Sequence, residues 1–271
     1  MFVKQRGRFI PAMNDGAFSP YYCKGLHAMP ATTNTYDEFA SQYADMMATQ
    51  EGAEIAPDSN ISRFLAAVGD VTGLTVLDAG CGEGYLSRIL AQRGAQVTGV
   101  DISPKLVEMA RAKDPDGAII YEVADLSQPL PAYQAHFDVV ASYFVLNDVY
   151  DYQGFLATLS AALKPAGRLV IFMNNPYARV VRGHITDYFA ASGQMLPYRS
   201  MTEEGVNVYF WHRTMEEYHS ACSAAGLLLQ RLVDVPTPDG SYKRRSDTLI
   251  PEGYHFPFFT VLGLVKAPSS V

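Results

Sequence analysis

The sequence predicts an α/β protein with a doubly wound parallel sheet. Two observations carry that expectation. Short apolar runs alternate with helical patterns from Leu74 to Met173, an order that builds parallel strands joined by right-handed crossovers. The first run is followed by Gly80, Gly82 and Gly84, a strand, glycine turn and helix of the sort that opens a nucleotide-binding βαβ unit.

Each element has its own signal. Leu74–Leu77 is an apolar run closed by Asp78; a helical pattern then reaches Gly94, and Val97–Val100 is a second run ending on Asp101. Ser103-Pro104 starts the next helix, serine as cap and proline in the first turn, with Leu106, Val107, Met109 and Ala110 on its apolar side. Asp114–Gly117 is a turn, and Ala118–Val123 is a third strand that leads to Ala124-Asp125. Phe137–Tyr143 is almost continuously apolar, as a strand covered on both faces requires. Phe155–Leu163 reads as helix, Lys164–Gly167 as a turn, and Arg168–Met173 as a fifth strand.

The rhythm then changes. The segment 174–210 is longer than an ordinary connection, which in a compact domain marks a lid or binding insertion. Thr214–Ala225 is helical, and Leu227–Val235 and Phe256–Val265 are two last strands joined by a polar loop. Ahead of the sheet, Met1–Thr35 is rich in Gly, Pro, Asn and Ser and reads as a loosely structured extension, leaving 36–271 as the domain. Phe39, Tyr43, Met46 and Met47 recur at helical spacing, and Asp58 or Ser59 caps a second helix carrying Ile61, Phe64, Leu65 and Val68.

Composition narrows the function. The chain has 271 residues, 48% hydrophobic and 18% charged, an ordinary globular balance. A net charge of -7 gives no basic footprint for nucleic acid. Cys23, Cys81 and Cys222 are odd in number with no CxxC, so neither a disulfide framework nor a zinc site is expected, and no metal. No run has membrane-span length and the N-terminus lacks a signal-peptide pattern; the expectation is a soluble, cytoplasmic protein with no membrane partner.

The glycine turn departs from a dinucleotide fingerprint. Tyr85 stands three residues after Gly82, where G-x-G-x-x-G needs glycine. Asp78 repels a pyrophosphate and suits a cation, while Asp101 is placed to accept hydrogen bonds from ribose hydroxyls. A charged aminoacyl nucleoside fits better than a nicotinamide dinucleotide.

VLDAGCGEG, GVDIS, ADL and FDVVASYFVLND together resemble the class I S-adenosylmethionine-dependent methyltransferase family, in order, over roughly 36–266. The resemblance implies a Rossmann-like sheet of seven strands, mostly parallel with the last antiparallel, helices on both faces, and S-adenosyl-L-methionine as methyl donor. It further implies that Gly80, Gly82 and Gly84, with Cys81 among them, line the methionine part, and that Asp78 lies near its ammonium. Asp101 would hold the ribose, Ile102 the adenine face, Asp125 and Leu126 the adenine edge, and Tyr143 would sit near the sulfonium. Cys81 needs only to be small, so reactivity is not implied.

The family's small-molecule members keep acceptor-binding residues after strand five. Here 174–212 supplies Tyr177, Arg179, His184, Tyr188, Tyr198, Tyr209, Trp211 and His212. His212 could serve as a base or orient the acceptor, and Tyr43 could close over the cofactor; a surface histidine and a core aromatic are the plainer readings. His184 and Asp187 have ligand-like spacing but no third ligand. The expected function is methylation of an O, N or C atom of a small-molecule metabolite. Alternatives are a cofactor-binding protein of the same fold without methyl transfer, and a nicotinamide-dependent oxidoreductase. Oligomeric state is not readable from these residues.

Overall fold

Helices flank a mixed sheet of seven strands in the computed structural model, which describes residues 2–5, 8–11, 36–48, 55–181, 183–197, 209–236 and 256–268. In chain order the elements are β1 (Phe2–Gln5), β2 (Arg8–Pro11), α1 (Tyr36–Ala48), α2 (Asn60–Val68), β3 (Thr75–Ala79), α3 (Tyr85–Gln92) and β4 (Gln96–Asp101). There follow α4 (Pro104–Ala112), β5 (Ile120–Val123), β6 (Phe137–Tyr143), α5 (Tyr152–Ala162), β7 (Leu163–Asn174) and α6 (Tyr177–Val181). The last are β8 (Met195–Pro197), β9 (Tyr209–Trp211), α7 (Met215–Ala224), β10 (Leu227–Pro236) and β11 (Pro257–Lys266).

The sheet order is β5-β4-β3-β6-β7-β11-β10, with β11 antiparallel to both of its neighbours. That is the expected seven-stranded arrangement with an antiparallel last strand. The chain divides into two units, Met1–Thr33 and Asn34–Val271. The first contains an antiparallel pair, Phe2 opposite Pro11 and Gln5 opposite Arg8, which the aperiodic sequence there did not announce.

Side chains alternate across the sheet with the period of two that a strand imposes. Val76, Val139, Val170 and Phe172 face α2, α3 and α4; Leu77, Val140, Leu169 and Ile171 face α5 and α7. Both faces are thus apolar, which is why β6 reads as a continuous hydrophobic run. Ser59 caps α2 through Ser62 N–H (3.2 Å), Ser103 caps α4 through Leu106 N–H (3.2 Å), and Thr214 with Glu217 forms a capping box on α7.

One boundary differs from the sequence expectation. Lys164–Gly167 is not a turn before the strand but a bulge within β7. Phe137 pairs with Leu163 and Val139 with Arg168, so the four residues 164–167 stand opposite Asp138 alone, with Ala166 at φ 59°. The helix Tyr177–Val181 and the short antiparallel pair β8–β9 were also not anticipated inside the insertion.

Phe64 is fully buried and packs against Tyr143 (5.1 Å) and Phe172 (6.2 Å). Phe64→Ala is expected to cost about 3–5 kcal/mol in urea unfolding. Leu228→Ala, at a position 51% exposed, should stay within about 0.5 kcal/mol.

Candidate active site

The strand order reverses between β3 and β6, and in open α/β sheets the crevice beyond the carboxyl ends at such a point receives ligand. The loop leaving β3 is pinned there by backbone bonds: Gly80 and Cys81 N–H both donate to Val100 C=O (2.8 and 3.1 Å). Gly80, Gly82 and Gly84 all have positive φ (81°, 54° and 86°). At Gly80 a Cβ would lie 2.3 Å from Val145 Cγ2, so the loops after β3 and β6 meet with no space for a side chain. Phe144, the residue between β6 and Val145, is itself left-handed (φ 61°), a strained conformation of the sort that clusters at functional sites.

Carboxylates ring this loop. Asp101 Oδ2 accepts from Gly82 N–H (2.8 Å) and Oδ1 from Ser103 N–H (2.9 Å), which ties the end of β4 to the glycine turn. Even with these bonds, burial raises its pKa above the usual carboxylate range. Asp78 is 1% exposed and accepts from Ser87 Oγ (2.6 Å); burial raises its pKa to about 7, with Asp101 and Glu83 adding repulsion. Glu83 is equally buried and is paired with Arg88 (3.0 Å) and Lys113 (2.7 Å).

Helix α1 lies over the loop. The Tyr43 ring would be 3.4 Å from a Cβ at Gly82, and Tyr36 meets Tyr43 edge to face (6.1 Å). Burial, then the charge of Asp101, raises the Tyr43 phenol well above its ordinary value. Asp37 fastens the same helix to the start of α4, accepting from Ser103 Oγ (2.5 Å), while its carbonyl accepts from Lys105 Nζ (2.9 Å). The side chains of Phe39, Met46 and Met47 lie outside the described residues.

The remaining sequence-predicted positions line the same end of the sheet. Ile102 is 37% exposed at the end of β4, Asp125 accepts from Ser127 N–H and Oγ (2.9 and 2.7 Å), and Leu126 is buried. Tyr143 closes β6 and packs against Phe64, Phe144 (4.7 Å) and Phe172 (5.0 Å). Cys81 is a buried free thiol whose pKa burial raises well above 9.0, so it is held neutral.

The insertion builds a second wall. Tyr177 and Tyr188 stack at 4.7 Å, Arg179 lies over the Phe210 ring (3.6 Å), and its Nη1 is 3.4 Å from His184 Nδ1. His212 is 1% exposed; its Nε2 is 2.9 Å from Tyr188 C=O, which fixes the Nε2–H tautomer in the neutral ring that burial favours. His212 Nδ1 makes no hydrogen bond among the described residues. Tyr198 lies outside them, and among them no cluster of three or more His, Cys, Asp or Glu is placed to hold a metal. No described helix is long and apolar enough to cross a membrane.

Sequence reasoning missed Asn147 and Asp148. Asn147 is buried: Nδ2 donates to Tyr218 Oη (3.1 Å), Oδ1 accepts from Asn174 N–H (2.9 Å), and its carbonyl accepts from Trp211 N–H (2.7 Å). It thereby joins the loop after β6 to β7, β9 and α7. Asp148 accepts a short hydrogen bond from Tyr36 Oη. The signal for either was a polar pair closing the otherwise apolar FDVVASYFVLND segment.

Residues 77–171 match a family model described as a methyltransferase domain. Over 105 residues the chain is 38% identical to a demethylmenaquinone methyltransferase of Tropheryma whipplei (strain Twist), covering 38% of this chain and 43% of that protein. Over 103 residues it is 36% identical to a ubiquinone biosynthesis O-methyltransferase of Xylella fastidiosa (strain 9a5c), covering 37% and 42%. The chain thus spans less than half the length of these curated relatives. A crystal structure of an S-adenosylmethionine-dependent methyltransferase from Mesorhizobium loti superposes with a TM-score of 0.57 at 26% identity, covering 75% of this chain and 96% of that one. One from Methanosarcina mazei gives 0.57 at 18% identity, covering 79% and 99%, a likeness of fold.

Two glycines separate conformation from contact. Gly117 is left-handed (φ 63°) with nothing near its Cβ direction, whereas Gly80 (φ 81°) abuts Val145. In thermal unfolding, Gly117→Ala should cost about 1–2 kcal/mol from backbone conformation alone. Gly80→Ala should cost roughly 1–3 kcal/mol more from overpacking.

Proposed function

We propose that the chain, whose residues 77–171 match a methyltransferase domain, is a class I S-adenosylmethionine-dependent methyltransferase that methylates a small-molecule metabolite, a phenol or hydroquinone-like ring being the best-supported acceptor. The cofactor fits what the crevice offers. Glycines that leave no space for a Cβ bring backbone to the ligand, and partly exposed Asp101, at the end of β4, still has lone pairs to accept from hydroxyls. The observation that carries the reading is the charge. Asp78, Asp101 and Asp148 are all raised above the carboxylate range, chiefly by burial, so the crevice gathers acids that disfavour a pyrophosphate and suit a cationic ligand.

In this reading Gly80, Cys81, Gly82 and Gly84 hold the methionine part, and Asp78 acts on its ammonium through space. Asp101 holds the ribose, Ile102, Asp125 and Leu126 the adenine, and Tyr143 and Tyr43 close the crevice from β6 and α1. When bound, the cofactor supplies an electrophilic methyl group on a sulfonium. The chain's own task is to position the acceptor in line and keep water out, which is where most of such a rate enhancement arises. Neutral, buried His212 holds Tyr188 through its carbonyl and so positions this wall, while the Tyr177–Tyr188 stack, with Tyr177 exposed, supplies apolar surface for a ring. Support for a ring-type acceptor also comes from the quinone-pathway names of the two curated relatives. The net charge of -7 favours an acceptor other than nucleic acid, and the reduced, buried Cys81 and Cys222 suit a cytoplasmic setting.

Calorimetric titration and S-adenosylhomocysteine release with panels of hydroquinones, phenols, amines and carboxylic acids test the proposal. Binding of S-adenosylmethionine with turnover on a phenolic acceptor is expected, and Asp101→Asn should weaken binding about 10-fold. Binding without turnover on every acceptor would favour a non-transferring cofactor protein; tight NADH binding without S-adenosylmethionine binding would favour an oxidoreductase.

The charge also sets a pH dependence. With folded pKa values of about 7 for Asp78 and Asp148 against 3.8 for an ordinary aspartate, the folded chain binds more protons than the unfolded one between those limits. Their contribution to stability therefore falls as pH rises through that window, and a bound cation opposes the fall. The Tm increase given by S-adenosylmethionine should be larger at pH 8 than at pH 5.5, and Asp78→Asn should narrow the difference.

A further inference from the structure

Asp148 stands on the loop after β6, three residues beyond Val145, whose side chain meets the glycine turn. Its carboxylate accepts from Tyr36 Oη, contributed by α1 from 112 positions away. Tyr36 packs edge-on against Tyr43, which in turn covers Gly82. From the other side Arg179 of α6 bears on the carboxylate electrostatically, and Asp148 in turn acts on Tyr218 of α7. Tyr36, Tyr43, Arg179 and Tyr218 are the titratable and charged described groups that face it, and Asp148 retains partial exposure between them. The carboxylate thus sits where the cofactor crevice and the wall built by the insertion meet.

We propose that Asp148 is a catalytic residue that takes the proton of a neutral acceptor O–H group, positioned by Tyr36 and Arg179. The inference rests on the methyltransferase reading above. As the acceptor O–H bond breaks, its electron pair stays on oxygen to become the nucleophile, and the proton bonds to a carboxylate oxygen of Asp148. The acceptor oxygen bonds to the methyl carbon as the carbon–sulfur bond breaks and leaves its pair on sulfur, which becomes a neutral thioether; the carboxyl group returns the proton to solvent after product leaves, so hydrogen is exchanged for methyl with no oxidant or reductant. The chemistry selects the acceptor class. A carboxylic acid arrives already ionised and is repelled by Asp148, whereas a phenol or enol arrives neutral and needs a base. Burial holds the Asp148 pKa at about 7, well matched to that task near neutral pH, and the bond from Tyr36 and the charge of Arg179 both act to lower it.

Two arms test the assignment on the full-length chain. In the first, catechol and 1,4-naphthohydroquinone are the probes, and single-turnover rates are followed from pH 5 to 9. The wild type should show a rising limb centred near 7, and Asp148→Asn should lose about 10²–10⁴-fold together with that limb. Tyr36→Phe keeps the carboxylate but removes a bond that lowers its pKa, so its limb should move to higher pH; a purely structural role would leave the limb in place. In the second arm, protons released on cofactor binding are counted by calorimetry at pH 7 in phosphate and in Tris. S-adenosylmethionine, with its sulfonium, should release more protons than neutral S-adenosylhomocysteine, and Asp148→Asn should shrink that difference. The count with Asp148→Asn decides where the probes yield no product, and the limb of Tyr36→Phe decides where Asp148→Asn does not fold. An unchanged limb in either folded variant, or an unchanged proton difference in folded Asp148→Asn, overturns the role of Asp148 alone. A wild type that binds neither cofactor form overturns the methyltransferase reading and this inference with it.

Discussion

The close approach of Gly80 to Val145 is the constraint on which the site depends. The loop after β3 and the loop after β6 diverge from the point where the sheet reverses, and their contact closes the floor of the crevice between them. Holding it needs a left-handed glycine on one side and a left-handed, strained Phe144 on the other. Burial around Phe64, Tyr143 and Phe172 provides the stabilisation that keeps this strain in place. The consequence reaches well past the contact. The loop after β3 carries Gly82, whose N–H donates to Asp101, and the loop after β6 carries Asp148, which accepts from Tyr36.

Charge is the second level of organisation. A fold seeking stability alone would not collect Asp78, Asp101 and Asp148 near one glycine turn and raise all three by burial. Such a cluster is tolerated where a ligand completes it, and a sulfonium with an adjacent ammonium is the kind of ligand that does. The same cluster distinguishes this crevice from a dinucleotide site, where a helix N-terminus meets phosphate with no acid in the way. Glu83 belongs to a different class: its Oε2 pairs with both Arg88 and Lys113, which links α3 to the end of α4, while its buried Oε1 makes no hydrogen bond among the described residues.

Much of this was legible in the sequence, for identifiable reasons. The β6 strand was read with its observed boundaries because a sheet covered on both faces demands an uninterrupted apolar run. The α2, α4 and α7 starts were readable because Ser59, Ser103 and Thr214 cap them through contacts only three residues away. What was not legible depends on distant partners. The 164–167 bulge exists only through the pairing of β7 with β6. Asn147 acquires its role from Asn174, Trp211 and Tyr218, and Asp148 from Tyr36, none of which is near in sequence. His212 was noticed, yet its burial and fixed tautomer follow from Tyr188 C=O in a neighbouring part of the insertion.

The most direct test is a crystal structure of the full chain with S-adenosylhomocysteine bound. The account predicts the homocysteine part against Gly80–Gly84, the ribose hydroxyls on Asp101, Tyr43 over the ligand, and the sulfur side of the crevice facing Asp148. Density for the ligand away from the β3–β6 crevice, or a sulfur turned away from Asp148 with Asp101 making no ribose contact, would contradict it.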